Sequence, residues 1–228
     1  MDMRKKISFG LKILTVATSL SGVVLSFFAA QNDGYSHWSK RLLYFTGLSN
    51  LWLGITLLAI VLCCPLGRRA DGAWGKRLYL LKYIFTVSIT VTGFVYCAIL
   101  APFVDKSYHP WSFPNLLTHA FTPVLGIVDF FVDETPIGLK KRHVFYTTIP
   151  PLAYFVFASV LHLLNVDFGR GETFPYFFLN LRSPAGIFGF SDQPPFIMGT
   201  FYWTLLFLAM VLSFAWLYYA LKQKQENK

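Results

Sequence analysis

Two polar side chains that could take part in chemistry, the Thr46 hydroxyl and the His119 imidazole, stand inside apolar stretches of the sequence. If both stretches are helices that descend from the same membrane surface, a rise of 1.5 Å per residue puts Thr46 roughly 6 Å and His119 roughly 9 Å below that surface. An imidazole can gain or lose a proton near neutral pH, and ionisable groups inside a membrane usually have a function. The sequence therefore predicts a polar pocket around these two residues.

Neighbouring residues extend this predicted pocket. Ser49 and Asn50 follow Thr46 by three and four positions, so they can share its helix face. Asn115 precedes His119 by four positions and lies one turn nearer the surface. Further pocket candidates on other parts of the chain are Tyr96, His162, Tyr176 and Trp203.

Each of these residues also has a structural interpretation. A threonine in a membrane helix usually donates to the carbonyl four residues before it, so spacing alone favours a structural role for Thr46. Tyrosines and tryptophans near the ends of apolar stretches commonly belong to the interfacial aromatic belt, which applies to Tyr96 and Trp203. His162 lies at the expected membrane boundary and is interpreted in the same way. Spacing leaves the role of His119 open.

The composition identifies the kind of element that must position these groups. The 228-residue chain is 55% hydrophobic and only 14% charged, whereas a soluble domain has about 25% charged residues. Six stretches reach the roughly 20 residues needed to cross a bilayer. They are residues 9–30, 42–63, 79–101, 113–132, 144–164 and 196–220. We therefore predict an all-α, polytopic membrane protein, a single domain over residues 1–228 with six transmembrane helices.

The distribution of positive charge predicts the orientation of these helices. Fifteen of the 20 Lys and Arg residues fall on one side of the predicted membrane, and an excess of positive charge marks the cytoplasmic side. Both termini are therefore expected in the cytoplasm, and the net charge of +9 is expected to face membrane lipids rather than nucleic acid. The five residues on the other side are Lys40, Arg41, Lys106, Arg170 and Arg182.

One connection, from Asn165 to Pro195, is long. Its glycines and prolines rule out a regular helix, but the run from Phe174 to Leu179 is strongly apolar and aromatic. A segment of this kind is more often a cover than a solvated linker. We therefore predict a long aromatic loop between helices 5 and 6 that caps the bundle on the outer face.

Two other kinds of site are less well supported. A metal site built from His109, His119 and His162 would have no carboxylate or cysteine at the same depth, so we expect no metal ion and no other cofactor. Ion-coupled transport commonly uses carboxylates near the middle of the membrane. Asp129 lies close to the cytoplasmic end of its stretch, where we expect it to cap the helix or to pair with a loop cation.

Three short motifs occur in the order found in a known family. They are Phe45-Thr46-Gly47-Leu48-Ser49-Asn50 in the second stretch, Asn115-Leu116-Leu117-Thr118-His119 with Pro123 in the fourth, and Pro175-Tyr176-Phe177-Phe178-Leu179 before the last. Together they resemble the androgen-induced and androgen-dependent TFPI-regulating protein family, which includes bacterial six-span membrane proteins. The order of the motifs and the number of spans agree with this family over nearly the whole chain. The resemblance suggests a bacterial relative located in the plasma membrane.

The resemblance also implies a function. Characterised members are threonine hydrolases that cleave fatty acid esters of hydroxy fatty acids. By motif, Thr46 would be the nucleophile and His119 the general base, which is chemically reasonable because a threonine hydroxyl needs an adjacent base. The substrate would be a lipid ester that enters from the bilayer. Ser49, Asn50 or Asn115 could orient the imidazole or donate to the oxyanion.

Two other functions are compatible with the same residues. A non-enzymatic lipid-binding or lipid-transporting protein would use the polar pocket only to hold a head group. A structural partner subunit would tolerate substitution of both Thr46 and His119.

Overall fold

A computed structural model describes residues 3–65, 70–103, 109–135 and 138–227. Six helices in this part of the chain are long and apolar enough to cross a membrane, as the sequence predicts for an all-helical, multi-pass membrane protein. We label them α1 (Met3–Ala29), α2 (Phe45–Cys63), α3 (Ala73–Leu100), α4 (Phe113–Val132), α5 (Lys141–Leu163) and α6 (Thr200–Glu226). Arg68, Arg69, Lys106 and Lys228, which contribute to the charge count, lie outside the described residues.

Helices α1 to α4 pack on one another and form the centre of the bundle, and α6 packs on α3. Small residues allow the close contacts between these helices. A Cβ atom on Gly22 of α1 would lie 2.8 Å from Thr118 Cγ2 of α4, and one on Gly93 of α3 would lie 3.0 Å from the carbonyl oxygen of His119. Such close approach is typical of helix packing in membranes. In this way α4 is held directly against both α1 and α3.

Several boundaries differ from the sequence prediction, and one of them affects the site. Residues Trp38–Leu43 form a 3₁₀ helix, and α2 begins only at Phe45. Thr46 therefore lies in the first turn of α2 and not a full turn into it. The apolar character of Leu42 and Leu43 extends the hydrophobic stretch without extending the helix, because the chain bends at Tyr44, which has extended backbone angles.

Two of the helices contain a π-helical turn. One turn covers Tyr96–Leu100 at the end of α3, and the other covers Leu117–Phe121 within α4. In α4, Pro123 has no N–H group with which to continue the α-helical pattern. Turns of this type often occur at functional sites because they change the direction of the side chains they carry.

The connection between α5 and α6 packs against the bundle. It contains a short 3₁₀ helix, Phe177–Leu179, in which Phe178 and Leu179 are buried. The Phe178 ring lies 4.6 Å from the ring of Phe207 on α6. Phe168 is fully buried and makes an edge contact with Tyr44, at a centroid distance of 6.2 Å. Aromatic packing thus fixes this segment beside the start of α2.

A cluster of buried charges joins the helices at the opposite end of the bundle, which we call the Asp129 end. Lys12 of α1 and Lys82 of α3 lie 3.0 Å and 2.6 Å from the Asp129 carboxylate of α4. Both lysines also lie 2.7 Å from Asp133, which follows α4. Lys222 of α6 donates to the carbonyl oxygen of Asp133. The expectation that Asp129 pairs with a loop cation is therefore wrong, because its partners come from within two helices.

Candidate functional site

A polar cavity of about 370 Å³ lies at the other end of the bundle, which we call the Thr46 end. Its walls come from the start of α2, the end of α3, the start of α4 and the segment before α6. Five of the predicted site residues line it, namely Thr46, Tyr96, Asn115, His119 and Tyr176. The fold therefore brings the hydroxyl of one helix and the imidazole of another to the same cavity.

His119 occupies the middle of the π-helical turn of α4 and is almost completely buried. Its ring stacks on Tyr96 of α3, with a centroid distance of 3.6 Å and an angle of 11° between the rings. The close approach of α3 and α4 at Gly93, one turn before Tyr96, makes this stacking possible. Among the described residues, His119 Nδ1 has no hydrogen-bond partner although it is buried. The imidazole is thus held by ring stacking and keeps a nitrogen that is not used by the fold.

Tyr96 is itself fixed in position. It begins the π-helical turn of α3, and its hydroxyl donates a hydrogen bond to the carbonyl oxygen of Pro110. The edge of its ring also contacts Trp111, at a centroid distance of 6.1 Å. With one ring face covered by His119, Tyr96 is almost completely buried within the protein.

Thr46 contacts Tyr176 of the segment between α5 and α6. The Thr46 backbone N–H lies 3.4 Å from the Tyr176 hydroxyl, and the Thr46 side chain also forms a hydrogen bond with that hydroxyl. Burial raises the pKa of Tyr176 to about 12, in spite of the opposing effect of these hydrogen bonds. The Tyr176 phenol is therefore neutral at pH 7 and keeps its proton as a hydrogen-bond donor.

Asn50 connects the two helices that carry Thr46 and His119. Its Nδ2 donates to the carbonyl oxygen of Thr46 at 2.9 Å and to that of Thr118 at 3.1 Å. One amide thus joins α2 to α4 at the residue before His119. Ser49 donates to the Thr46 carbonyl oxygen at 3.2 Å and lies 2.9 Å from the Thr92 hydroxyl.

The remaining predicted pocket residues have different surroundings. Asn115 lines the cavity and donates to the carbonyl oxygen of His109 at 3.2 Å. His162 is buried beside Thr173, 3.0 Å from its carbonyl oxygen. Trp203 packs against Phe177 and other aromatic rings. Four predicted pocket residues do not form part of the cavity wall, namely Ser49, Asn50, His162 and Trp203.

Charged residues also line the cavity and were not identified as site residues from the sequence. Arg41 pairs with Asp33, and its guanidinium lies 4.1 Å from the ring centroid of Tyr35. Arg170 lies over the same ring at 5.1 Å, and Glu172 lies nearby on the wall. In the sequence analysis, Arg41 and Arg170 enter only the count of positive charges on each side of the membrane. No local sequence pattern connects two positions so far apart. Among the described residues, no group of three or more possible metal ligands occurs.

Together these groups could support acyl transfer or could bind a polar head group. The cavity combines a threonine hydroxyl, a neutral phenol and an imidazole with an unused nitrogen. Comparison of the chain with protein-family models, with curated proteins and with solved structures gave no significant match. The family resemblance of the three motifs therefore stays a prediction.

Proposed function

We propose that this chain is a membrane hydrolase that cleaves lipid esters with Thr46 as the nucleophile and His119 as the general base. The observation that carries the proposal is that both residues line the same polar cavity, although 72 positions separate them in the sequence. A threonine hydroxyl reacts only when a base removes its proton, and the imidazole is the group in this cavity best suited to that task. The resemblance of the motifs to a family of threonine hydrolases supports the same assignment.

The reaction would take place in two steps. In the first, His119 accepts the proton of Thr46 Oγ1 as this oxygen bonds to the ester carbonyl carbon. The bond from that carbon to the alcohol oxygen then breaks, and the leaving oxygen takes the proton from His119. In the second, His119 removes a proton from water as the water attacks the acyl-threonine, and Thr46 recovers its proton when the fatty acid leaves.

Tyr176 and Tyr96 would assist this reaction in different ways. The neutral Tyr176 phenol lies beside Thr46 and can donate a hydrogen bond to the oxyanion that forms on the carbonyl oxygen. Tyr96 would hold the His119 ring in its reactive orientation by stacking. Asn50 would set the distance between the two reacting residues, because it joins the backbones of α2 and α4.

The proposal includes an orientation in the membrane. The excess of Lys and Arg favours cytoplasmic termini, and it persists when the three lysines of the buried cluster are left out of the count. The Thr46 end would then lie in the outer half of the bilayer, with the aromatic segment before α6 as its cover. Such a site suits a lipid ester that arrives sideways from the membrane, including fatty acid esters of hydroxy fatty acids, and in a bacterium the location would be the plasma membrane.

Labelling with a fluorophosphonate tests the proposal. We expect the wild-type protein to gain one phosphonyl group on Thr46 with loss of fluoride, as measured by intact-protein mass and peptide mapping. Thr46→Ala should abolish the adduct, and His119→Ala should slow its formation by about 100-fold or more. Thr148→Ala is a matched control, because Thr148 is half-buried, lies outside both cavities and bonds its own helix backbone at Phe145.

Two outcomes would contradict the proposal. An adduct on a residue other than Thr46 would exclude this threonine as the nucleophile. A folded wild-type protein that binds lipid esters without forming an adduct would favour the non-enzymatic lipid-binding function.

A further inference from the structure

A second cavity meets the polar cavity at Thr46. It has a volume of about 100 Å³ and lies between α2, α3, α5 and α6. Thr46, Tyr176 and Leu100 line both cavities, so Thr46 belongs to the wall that the two cavities share. From Ile149 onward, helix α5 makes few close backbone contacts with α2, α3 and α6, and the cavity occupies the space left between them.

The walls of this second cavity are almost entirely apolar. Side chains of α3, α5 and α6 supply most of them, including Val91, Leu152, Phe155, Phe207, Leu208 and Val211. The polar residues beyond Thr46 and Tyr176 are already bonded within the protein. Thr92 donates to the carbonyl oxygen of Ser88 at 3.1 Å, and Thr204 donates to that of Thr200 at 2.8 Å. The cavity therefore offers carbon surface and no charged group, which favours a hydrocarbon ligand.

We propose that this apolar cavity binds the hydrocarbon chain of the acyl group that is transferred to Thr46. This assignment rests on the proposed function, and it specifies which half of the ester enters each cavity. His119 lines only the polar cavity, and it must protonate the leaving alcohol oxygen. The alcohol half therefore occupies the polar cavity, and the acyl chain extends from the carbonyl carbon in the other direction, into the apolar cavity.

The position of the cavity in the bundle also favours an acyl chain. It extends along α6 from Thr204 to Val211, which corresponds to roughly 10 Å of helix within a membrane-spanning segment. The ligand available at this depth is the hydrocarbon of membrane lipids. A chain that fills the cavity would bring its carbonyl group to Thr46, so the wall residues on α6 would determine which chain lengths are accepted.

Substitutions on α6 test this assignment. Leu208 lines the cavity, so Leu208→Trp would fill it, whereas Leu205 of the same helix lies outside the cavity and is about half exposed on the surface of the bundle. We expect wild-type protein and Leu205→Trp to react with both an ethyl and a hexadecyl fluorophosphonate. Leu208→Trp should lower the ratio of the hexadecyl rate to the ethyl rate by at least about tenfold relative to the wild-type protein and Leu205→Trp. An unchanged ratio in Leu208→Trp would overturn the assignment.

A binding measurement separates this proposal from the hydrolase itself. A fatty acid with a diazirine at the end of its chain should crosslink, on illumination, to residues 204–211 or 151–155 of the wild-type protein and of Leu205→Trp. The crosslinks should be lost in Leu208→Trp. If they form as expected but no fluorophosphonate labels Thr46, the acyl-chain site stands and the hydrolase does not. Crosslinks that fall elsewhere, with Thr46 still labelled, would reject the acyl-chain site alone.

Discussion

Both ends of the bundle contain buried polar groups, but the two ends differ in how far these groups have partners within the protein. At the Asp129 end, two carboxylates and two lysines from α1, α3 and α4 pair with one another at 2.6–3.0 Å. At the Thr46 end, a buried imidazole nitrogen has no partner among the described residues and a cavity of about 370 Å³ lies beside it. Removing one partner of a buried ion pair leaves an uncompensated charge, so such pairs constrain how the helices pack. A buried polar group that is left unpaired next to a cavity is instead available for a ligand or a reaction.

This comparison shows why charge alone does not locate a functional site in a membrane protein. The Asp129 cluster contains more charged groups than the polar cavity, and Asp129 and Lys82 are almost completely buried. Nevertheless, the small cavity beside it, which Lys12 and Asp133 help to line, has a volume of only about 10 Å³, enough for about one water molecule. We therefore interpret the cluster as structural and the Thr46 end as the candidate functional region.

Removal of one member of the cluster should have the largest effect on stability. Among the described residues, Asp129→Ala leaves the buried Lys12 and Lys82 with Asp133 as their one carboxylate partner, and we expect a loss of about 3–5 kcal/mol in the free energy of unfolding. Thermal unfolding in detergent, followed by circular dichroism, would show this loss of stability as a lower unfolding midpoint. Thr46→Ala is the comparison from the other end and should change the midpoint only slightly. Equal destabilisation by the two substitutions would remove the distinction between the two ends.

The cluster should also make stability depend on pH in the acid range. Burial opposes ionisation of Asp133, but the ammonium groups of Lys82 and Lys12 outweigh it and hold the pKa of this carboxyl well below its ordinary value of 3.8. Ionised Asp133 therefore stabilises the fold above about pH 4, and this contribution is lost progressively as the pH falls below that value. We expect the unfolding midpoint of the wild-type protein to drop between about pH 5 and pH 3. This interval spans about one pH unit on either side of the ordinary pKa of an aspartate.

Asp133→Asn provides the control for the pH measurement. This variant should be less stable than the wild-type protein at pH 7, and its midpoint should change less over the same acid range. An identical pH dependence in both proteins would show that other carboxyl groups are responsible.

The smallest predicted effect concerns the ring that supports His119. Tyr96→Phe keeps the stacked ring and loses the hydrogen bond from the hydroxyl to the Pro110 carbonyl oxygen, so fluorophosphonate labelling should stay within about threefold of the wild-type rate. Tyr96→Leu removes the aromatic face, and we expect labelling to slow by about tenfold through misorientation of the imidazole. The pH at which labelling is half-maximal should shift in Tyr96→Leu and stay unchanged in Tyr96→Phe. Equal rates in both variants would show that the stacking does not position His119.

Local patterns in the sequence predict the fold well but describe the site only in part. Six apolar stretches are enough to predict six helices, because the length of an apolar run and the thickness of a bilayer are directly related. The depth predicted for Thr46 rests on a stretch that starts at residue 42, but α2 begins at Phe45, so Thr46 lies in its first turn. The bend before α2 does not follow from the apolar pattern, because Leu42 and Leu43 continue the apolar stretch through it. The π-helical turns in α3 and α4 do not follow from it either, because hydropathy does not specify which backbone hydrogen bonds a helix makes.

The sequence by itself thus determined the class of protein, the number of helices and the presence of a hydroxyl and an imidazole in apolar surroundings. Only the tertiary structure decided which side chains meet, because contacts between helices depend on the rotation of each helix about its axis. That rotation places Lys12 and Lys82 on Asp129 at one end and Tyr96 on His119 at the other. The tertiary structure also brings Arg41 and Arg170 to the polar cavity from segments that are far apart in the sequence. These contacts are set by packing over the whole bundle, and no short stretch of the chain contains that information.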